Sequence, residues 1–464
     1  MRPDILARML AEIQQQGAMI DSLTLIRNGY LVLEAGQWPY RTDTPHIIHS
    51  CTKSVTSALV GIALEKGLIS SVRKPVLEFF DYESILNLDQ GKKSLCLEDL
   101  LTMTTGLACR DSYVHRWRGL GAMMTSQDWV RFMLDLPMVE KPGEWFEYCN
   151  GASFLLSAII QKTARMTTLD FARMHLFKPL GIDRVRWQAN PQGITIGWGQ
   201  LWLEPRDMAK FGWLYLKGGL WAGEQVVPAE WVKASTKGRV EAGTLSERYG
   251  YQWWVDSEGY YAAMGFGGQF IFVVPEKNLV AVFTGALSPR EFSLPERLLN
   301  KYVLPAVAPG PLEARPEDKA KLDSLLVAME SGPEPSPVPD LPQRAVQISG
   351  RTYTFEPNRM KLKDMAFTFR PGEKECQAEM TVPKGTYTSA VGLDGRYRIS
   401  DSDRGSWAYK GSWETADRFA VTYRVLGYTS QGQAVFDFEG EKVKVGITDR
   451  STGAAFEFMG QARD

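Results

Sequence analysis

The sequence predicts an α+β fold, an antiparallel sheet flanked by helices, followed by a smaller all-β antiparallel domain. Strand patterns stand at both ends of the first 308 residues with helical patterns between them; a proline-dense stretch then interrupts every periodicity; and short period-two segments fill the remainder. A length of 464 residues also exceeds what a single hydrophobic core usually organises.

In chain order, Leu23 to Glu34 reads as a strand pair about the turn residues Asn28-Gly29. Ser50 to Lys66, Trp129 to Leu136, Ala152 to Thr163 and Arg206 to Leu216 carry helical periodicity. Gln269 to Pro275 and Leu279 to Gly285 read as two strands joined through Glu276-Lys277-Asn278. A short helical segment, Lys319 to Met329, leads into Ser331 to Pro342, whose prolines block both helix and central strand. The stretch 309–342 is therefore expected to be a semi-rigid connector between a domain over 1–308 and an antiparallel β-domain over 343–464. In the latter, Arg351 to Phe355, Met365 to Phe369, Arg396 to Ile399, Arg418 to Tyr423, Ala434 to Phe438 and Lys442 to Val445 alternate as strands, with Asp394-Gly395 as a hairpin signal.

Composition narrows the function classes. The 53 basic and 54 acidic side chains nearly cancel and form no long basic run, which argues against nucleic acid or an anionic membrane surface as partner. Charges at Arg2, Asp4, Arg8 and Glu12 interrupt any secretory apolar core at the amino terminus. The most apolar run, Ser54 to Leu64, is shorter than the roughly 20 residues of a membrane span and reads as a core helix. Cys51, Cys96, Cys109, Cys149 and Cys376 are scattered singly, without metal-knuckle spacing or disulfide-scaffold density, so a reducing cytoplasm is the expected home. Cys149 reads as a small buried hydrophobe. The composition leaves the oligomeric state open.

The chemistry gathers around Ser50-Cys51-Thr52-Lys53, a Ser-x-x-Lys tetrapeptide opening the apolar helix. Residues three apart share a helix face, so hydroxyl and amine can meet. Burial would lower the lysine pKa, and the helix amino terminus favours developing negative charge; both would activate Ser50 as a nucleophile. A second match, Ser71 to Lys74, runs into Pro75 and reads as a loop. Tyr148-Cys149-Asn150 follows a Pro142-Gly143 turn at the start of another helix. A phenol beside an ammonium can take the serine proton and pass it on, and the Asn150 amide can fix Lys53 or steer a substrate carbonyl. Only four histidines occur, His46, His49, His115 and His175, and no serine sits in a Gly-x-Ser-x-Gly elbow, so a lysine and tyrosine base system fits better than Ser-His-Asp. His49 reads as structural, because adjacent side chains diverge.

Five stretches, His49 to Ser54, Leu100 to Leu107, Pro142 to Asn150, Leu176 to Ile182 and Pro205 to Gly212, together resemble the serine β-lactamase, penicillin-binding and related esterase superfamily, in its order and over roughly residues 20 to 305. The resemblance implies a five-stranded antiparallel sheet flanked by helices and an acyl-enzyme mechanism without cofactor or metal. Ser50 would attack, Lys53 and Tyr148 would shuttle the proton, and Asn150 would orient. The family's Lys-Thr-Gly or His-x-Gly triplet is replaced by Met264 to Gln269, which keeps small residues but lacks a cation for a substrate carboxylate. This is closer to the esterase and nylon-oligomer hydrolase branch. The oxyanion is expected between the Ser50 backbone N–H and that of Phe266, with Gly267 as the alternative; the glycines Gly265, Gly267 and Gly268 are also what a bulge or close sheet packing would need.

The expected activity is hydrolysis of a small ester or amide. Two alternatives stay open: a DD-peptidase or β-lactamase that interacts with penicillin, and a catalytically silent binding protein on the same scaffold. Trp117, Trp129, Trp145, Trp198, Trp202, Trp253 and Trp254 are read mainly as core, with some available to line a cleft. Arg110, Asp111, Arg116 and Arg118 are read as a charged loop over the cleft or as solvated surface.

Overall fold

The computed structural model describes residues 1–109, 111, 118–243, 245–313, 315–403 and 405–463. Arg110, His115, Arg116 and Trp117 lie outside them. Two compact units emerge from the packing: Leu23–Glu34 with Pro45–Thr284, and Met1–Ser22 with Ala35–Thr44 and Gly285–Asp464.

The first unit holds the larger part of a sheet with strand order Tyr30–Gly36, Ile20–Arg27, Leu279–Gly285, Gln269–Val274, Tyr261–Gly265, then Trp254–Val255, Arg248–Tyr249 and Val240–Glu241, whose first three strands run past the unit's bounds. Five long strands thus form the expected sheet, and three two-residue strands extend one edge to make eight. The ladders from Leu279–Gly285 to that edge are antiparallel. The first hairpin turns at Asn28 and Gly29, both at positive φ (53° and 84°), as a two-residue hairpin turn demands. Gln269–Val274 and Leu279–Gly285 are buried at every residue, which explains their unbroken apolar runs.

Helices cover this sheet. Thr52–Glu65 is buried on all sides from Thr52 to Ala63, so its polar residues must be paired internally. Ser54 Oγ donates to the Gln252 carbonyl (2.7 Å) and Thr56 Oγ1 to the Gly197 carbonyl (2.8 Å). Gln252 also accepts from Ser153 Oγ at 2.6 Å and donates to the Leu100 and Leu101 carbonyls at 3.1 and 3.0 Å. One buried residue, through its backbone carbonyl and its side-chain amide, thereby ties the helices Thr52–Glu65, Asn150–Ala164 and Leu97–Leu101 together. Ser71, of the second Ser-x-x-Lys match, lies before a turn, its Oγ accepting from Arg73 N at 3.1 Å, and opens no helix.

In the second unit the helix Pro316–Ser331 packs on Pro3–Gln15, and ten strands curl until Gly392 of Gly385–Gly392 meets Lys410 of Gly405–Thr415, making a barrel. The strands Glu375–Val382, Gly385–Gly392, Gly405–Thr415 and Ala455–Ala462 were not expected from sequence. Small or polar residues on the inner face, such as Cys376, Ala378 and Ser389, weaken the apolar alternation there. Asp394-Gly395 forms a turn but no hairpin: Arg398–Ser402 pairs with Gly405–Thr415 instead. The Arg398 guanidinium clamps this turn, donating to both Asp394 oxygens and to the Arg396 carbonyl.

Gly212 sits where the helix Pro205–Leu216 packs on the sheet; a Cβ there would lie 2.6 Å from Val280 Cγ1 and 2.8 Å from Ile271 Cγ2. Gly212→Val should lower unfolding free energy by about 1–3 kcal/mol through overpacking, read as a lower urea midpoint at unchanged slope.

Candidate active site

Ser50 lies in the single 3-10 turn His49–Cys51 that leads into Thr52–Glu65. The entry is bent, since His49 has φ 45°, and this turns Ser50 out of the helix line. One helical turn later Lys53, 1% exposed, donates to Ser50 Oγ at 3.0 Å, to Asn150 Oδ1 at 2.7 Å and to the Trp198 carbonyl at 3.1 Å. All three donors of an ammonium would be used, and a neutral amine could accept from the hydroxyl instead. Burial drives the Lys53 pKa well below its ordinary value, with the Asp111 carboxylate pulling part of the way back. The Lys53 nitrogen also stands 4.7 Å from the centre of the Tyr148 ring, which stacks on Trp254 at 6.0 Å and 17°. Ser50, Lys53, Tyr148 and Asn150 are therefore gathered in one place.

Asn150 opens the helix Asn150–Ala164, and its side chain bridges two charges. Its oxygen accepts from Lys53, while its backbone N and Nδ2 donate to Asp111 Oδ2 at 3.0 and 3.3 Å. Asp111 Oδ1 accepts from Leu120 N at 2.6 Å. Asp111 is fully buried, which corrects its reading as a solvated surface charge; burial raises its pKa, against the pull of these donors and of Lys53. Arg118, by contrast, is exposed at the start of the helix Arg118–Thr125.

Cys149 forms a disulfide with Cys109, Cα to Cα 5.6 Å, which corrects its reading as a lone buried thiol and removes the premise of five unpaired cysteines. The bond closes a loop with a sequence separation of 40 and pins the residue between Tyr148 and Asn150. On chain-entropy grounds such a closure contributes about 4 kcal/mol. Cys109, Asp111 and Cys149 are the one His/Cys/Asp/Glu cluster of metal-binding dimensions among the described residues, but with the sulfurs joined it offers no thiolate to an ion. Neither the pairing nor Asp111 had a local signal in the sequence.

The strand Tyr261–Gly265 ends beside Ser50: a Cβ on Gly265 would lie 2.4 Å from the Ile48 carbonyl oxygen and 3.2 Å from the Ser50 nitrogen. Glycine is needed there for close approach, whereas Gly267 and Gly268, at φ 78° and 94°, serve the turn into Gln269–Val274. Phe266 packs edge-on against His49 with ring centres 5.5 Å apart. Burial, aided by the Lys53 charge, pushes His49 down to about 4, so it stays neutral at neutral pH. Cys51, buried beneath, donates to the Gln269 carbonyl at 3.2 Å. Of the tryptophans, Trp129, Trp198, Trp202, Trp253 and Trp254 are buried, and Trp145 is 66% exposed.

No helix among the described residues is long and apolar enough to cross a membrane. The family model described as Beta-lactamase matches residues 6–301. The 6-aminohexanoate-dimer hydrolase of Paenarthrobacter ureafaciens is 24% identical over 305 residues, covering 61% of this chain and 76% of that protein. Among solved structures, the octameric penicillin-binding protein homologue from Pyrococcus abyssi aligns with 98% of this chain and 99% of its own, at TM-score 0.52 and 16% identity. EstCE1, described as a hydrolase with promiscuous acyltransferase activity, aligns with 66% of this chain and 99% of its own, at TM-score 0.53 and 14% identity. The chain belongs to the Beta-lactamase family and is a hydrolase of its serine type.

Proposed function

We propose that this protein cleaves a small ester or amide through an acyl-enzyme on Ser50. The observation that carries the proposal is the 3.0 Å contact between the buried Lys53 amine and Ser50 Oγ. An amine whose pKa is driven down by burial loses its proton more readily, and in its neutral form it can receive the serine proton as Oγ bonds to the substrate carbonyl carbon. The Tyr148 hydroxyl, its ring against Lys53, passes that proton to the departing alcohol or amine as its bond to the carbonyl carbon breaks. Water then attacks the acyl carbon, giving up a proton to the same pair, which returns it to Ser50 Oγ as the bond from Oγ to the acyl carbon breaks and the acid leaves. The oxyanion is held by the Ser50 N–H, at a helix start, and by the Phe266 N–H, with Gly267 as the alternative. The close approach of Gly265 to the Ser50 nitrogen, which brings the end of that strand beside Ser50, supports that placement. The named relative that hydrolyses a 6-aminohexanoate dimer favours the amide and ester reading over penicillin turnover, as does Met264 to Gln269, which brings no cation.

Ser50→Ala should abolish turnover of p-nitrophenyl butyrate and the mass increment left by a fluorophosphonate on the intact protein. Full activity in that variant, or a persisting increment, would remove Ser50 from the chemistry. A stable adduct with ampicillin but with no ester would instead favour the penicillin-interacting alternative. Tyr148→Phe should cut kcat by about 10²- to 10⁴-fold, and an unchanged kcat would exclude its proton role.

Asp111 acts as a positioning residue through Asn150 and Lys53. Asp111→Ala should cost about 3 kcal/mol of stability by stranding buried donors. It should also lower the Lys53 pKa further, because the carboxylate holds it up; the acid limb of kcat/KM should then move to lower pH. A stability loss with an unmoved limb would mean that Asp111 acts on folding alone.

A further inference from the structure

The barrel of the second unit is packed at one end and hollow at the other. At the packed end, Phe367 meets Phe419 and Phe436 edge-on at 5.2 and 5.0 Å, and Phe369 meets Phe419 at 5.2 Å. Phe436 also borders a cavity of about 690 Å³ enclosed by the inner residues of the barrel. Protein interiors leave few voids larger than a water molecule, so a space of this size is not loose packing. It falls within the 300–1,000 Å³ range typical of small-molecule sites, and a barrel mouth is one of their usual places.

The lining states the chemistry. Met365, Met380, Val382 and Ile447 give an aliphatic wall, and Trp407, Tyr409, Tyr423 and Phe456 an aromatic one, each of these rings only partly buried. Trp407 and Tyr409 lie parallel, 7° apart with centres at 6.0 Å. Asp401 and Asp449 are the charged groups, and no basic side chain occurs among the described lining residues. Their carboxylates accept from neighbours, Asp401 from Ser406 Oγ at 2.5 Å and Asp449 from Ser451 Oγ at 2.6 Å, which fixes their place at the wall. An anionic head would meet like charge there, whereas aromatic faces and carboxylates both attract a cation.

We propose that this cavity is a second ligand site, separate from the Ser50 chemistry, for an apolar small molecule that is neutral or positively charged. The test uses the full-length protein and the neutral fluorophore N-phenyl-1-naphthylamine, whose emission rises in apolar surroundings. The probe should bind saturably and be displaced by decyltrimethylammonium about ten-fold more effectively than by decanoate. Val382→Trp, which fills the space, and Tyr423→Ala, which removes one wall, should each weaken the probe about ten-fold while p-nitrophenyl butyrate turnover stays within about two-fold of the parent. Using variants on two different strands guards against one misfolding. No saturable binding, equal displacement by decanoate, or probe binding unchanged in both variants would overturn the proposal.

Discussion

The structure of the site depends on one interaction: an amine without water, shared among a hydroxyl, an amide oxygen and a backbone carbonyl. Lys53 is 1% exposed, so its charged form loses hydration that three hydrogen bonds and a carboxylate beyond Asn150 only partly replace. Folding therefore drives a proton off this lysine over a range in which the unfolded chain, with its ordinary value of 10.5, still holds it. The sign follows from linkage: with more protons on the unfolded chain, the Lys53 contribution to stability rises with pH between its depressed folded value and 10.5. At neutral pH the group is destabilising, a cost accepted at functional sites elsewhere in proteins.

The surrounding features keep that amine in place. Gln252 fastens the helix Thr52–Glu65 to two others through buried hydrogen bonds, and the Cys109–Cys149 bond fixes the backbone between Tyr148 and Asn150. Asp111 holds Asn150 by backbone and side chain at once, so the oxygen that receives Lys53 has little freedom to rotate away. On the other side, the missing side chain of Gly265 lets a sheet strand approach the Ser50 nitrogen. Preorganisation of this kind is what a polar site needs if its hydrogen bonds are not to be traded for water.

Much of this was legible in the sequence where the signal is local. The Ser50 and Lys53 pair follows from a spacing of one helical turn, and the Asn28-Gly29 hairpin from two residues that tolerate positive φ. Tyr148 and Asn150 stood out because a turn and a helix start frame them. What escaped depends on contacts distant along the chain. The burial of Asp111 comes with its hydrogen bonds to Asn150, distant along the chain, and nothing local in the sequence marks its charge as buried. The partner of Cys149 is fixed by three-dimensional approach and not by spacing. In the barrel, strands whose inner faces carry Cys376, Ala378 and Ser389 lack the apolar alternation that revealed Arg418–Val425.

The most direct measurement is an NMR titration of the protein carrying ¹³Cε-labelled lysine, with Lys53 assigned by its loss in Lys53→Arg. The account predicts that the Lys53 resonance titrates well below the other lysines, with enzymatic activity falling as the pH drops through the same midpoint. A Lys53 resonance that titrates together with the surface lysines would contradict it.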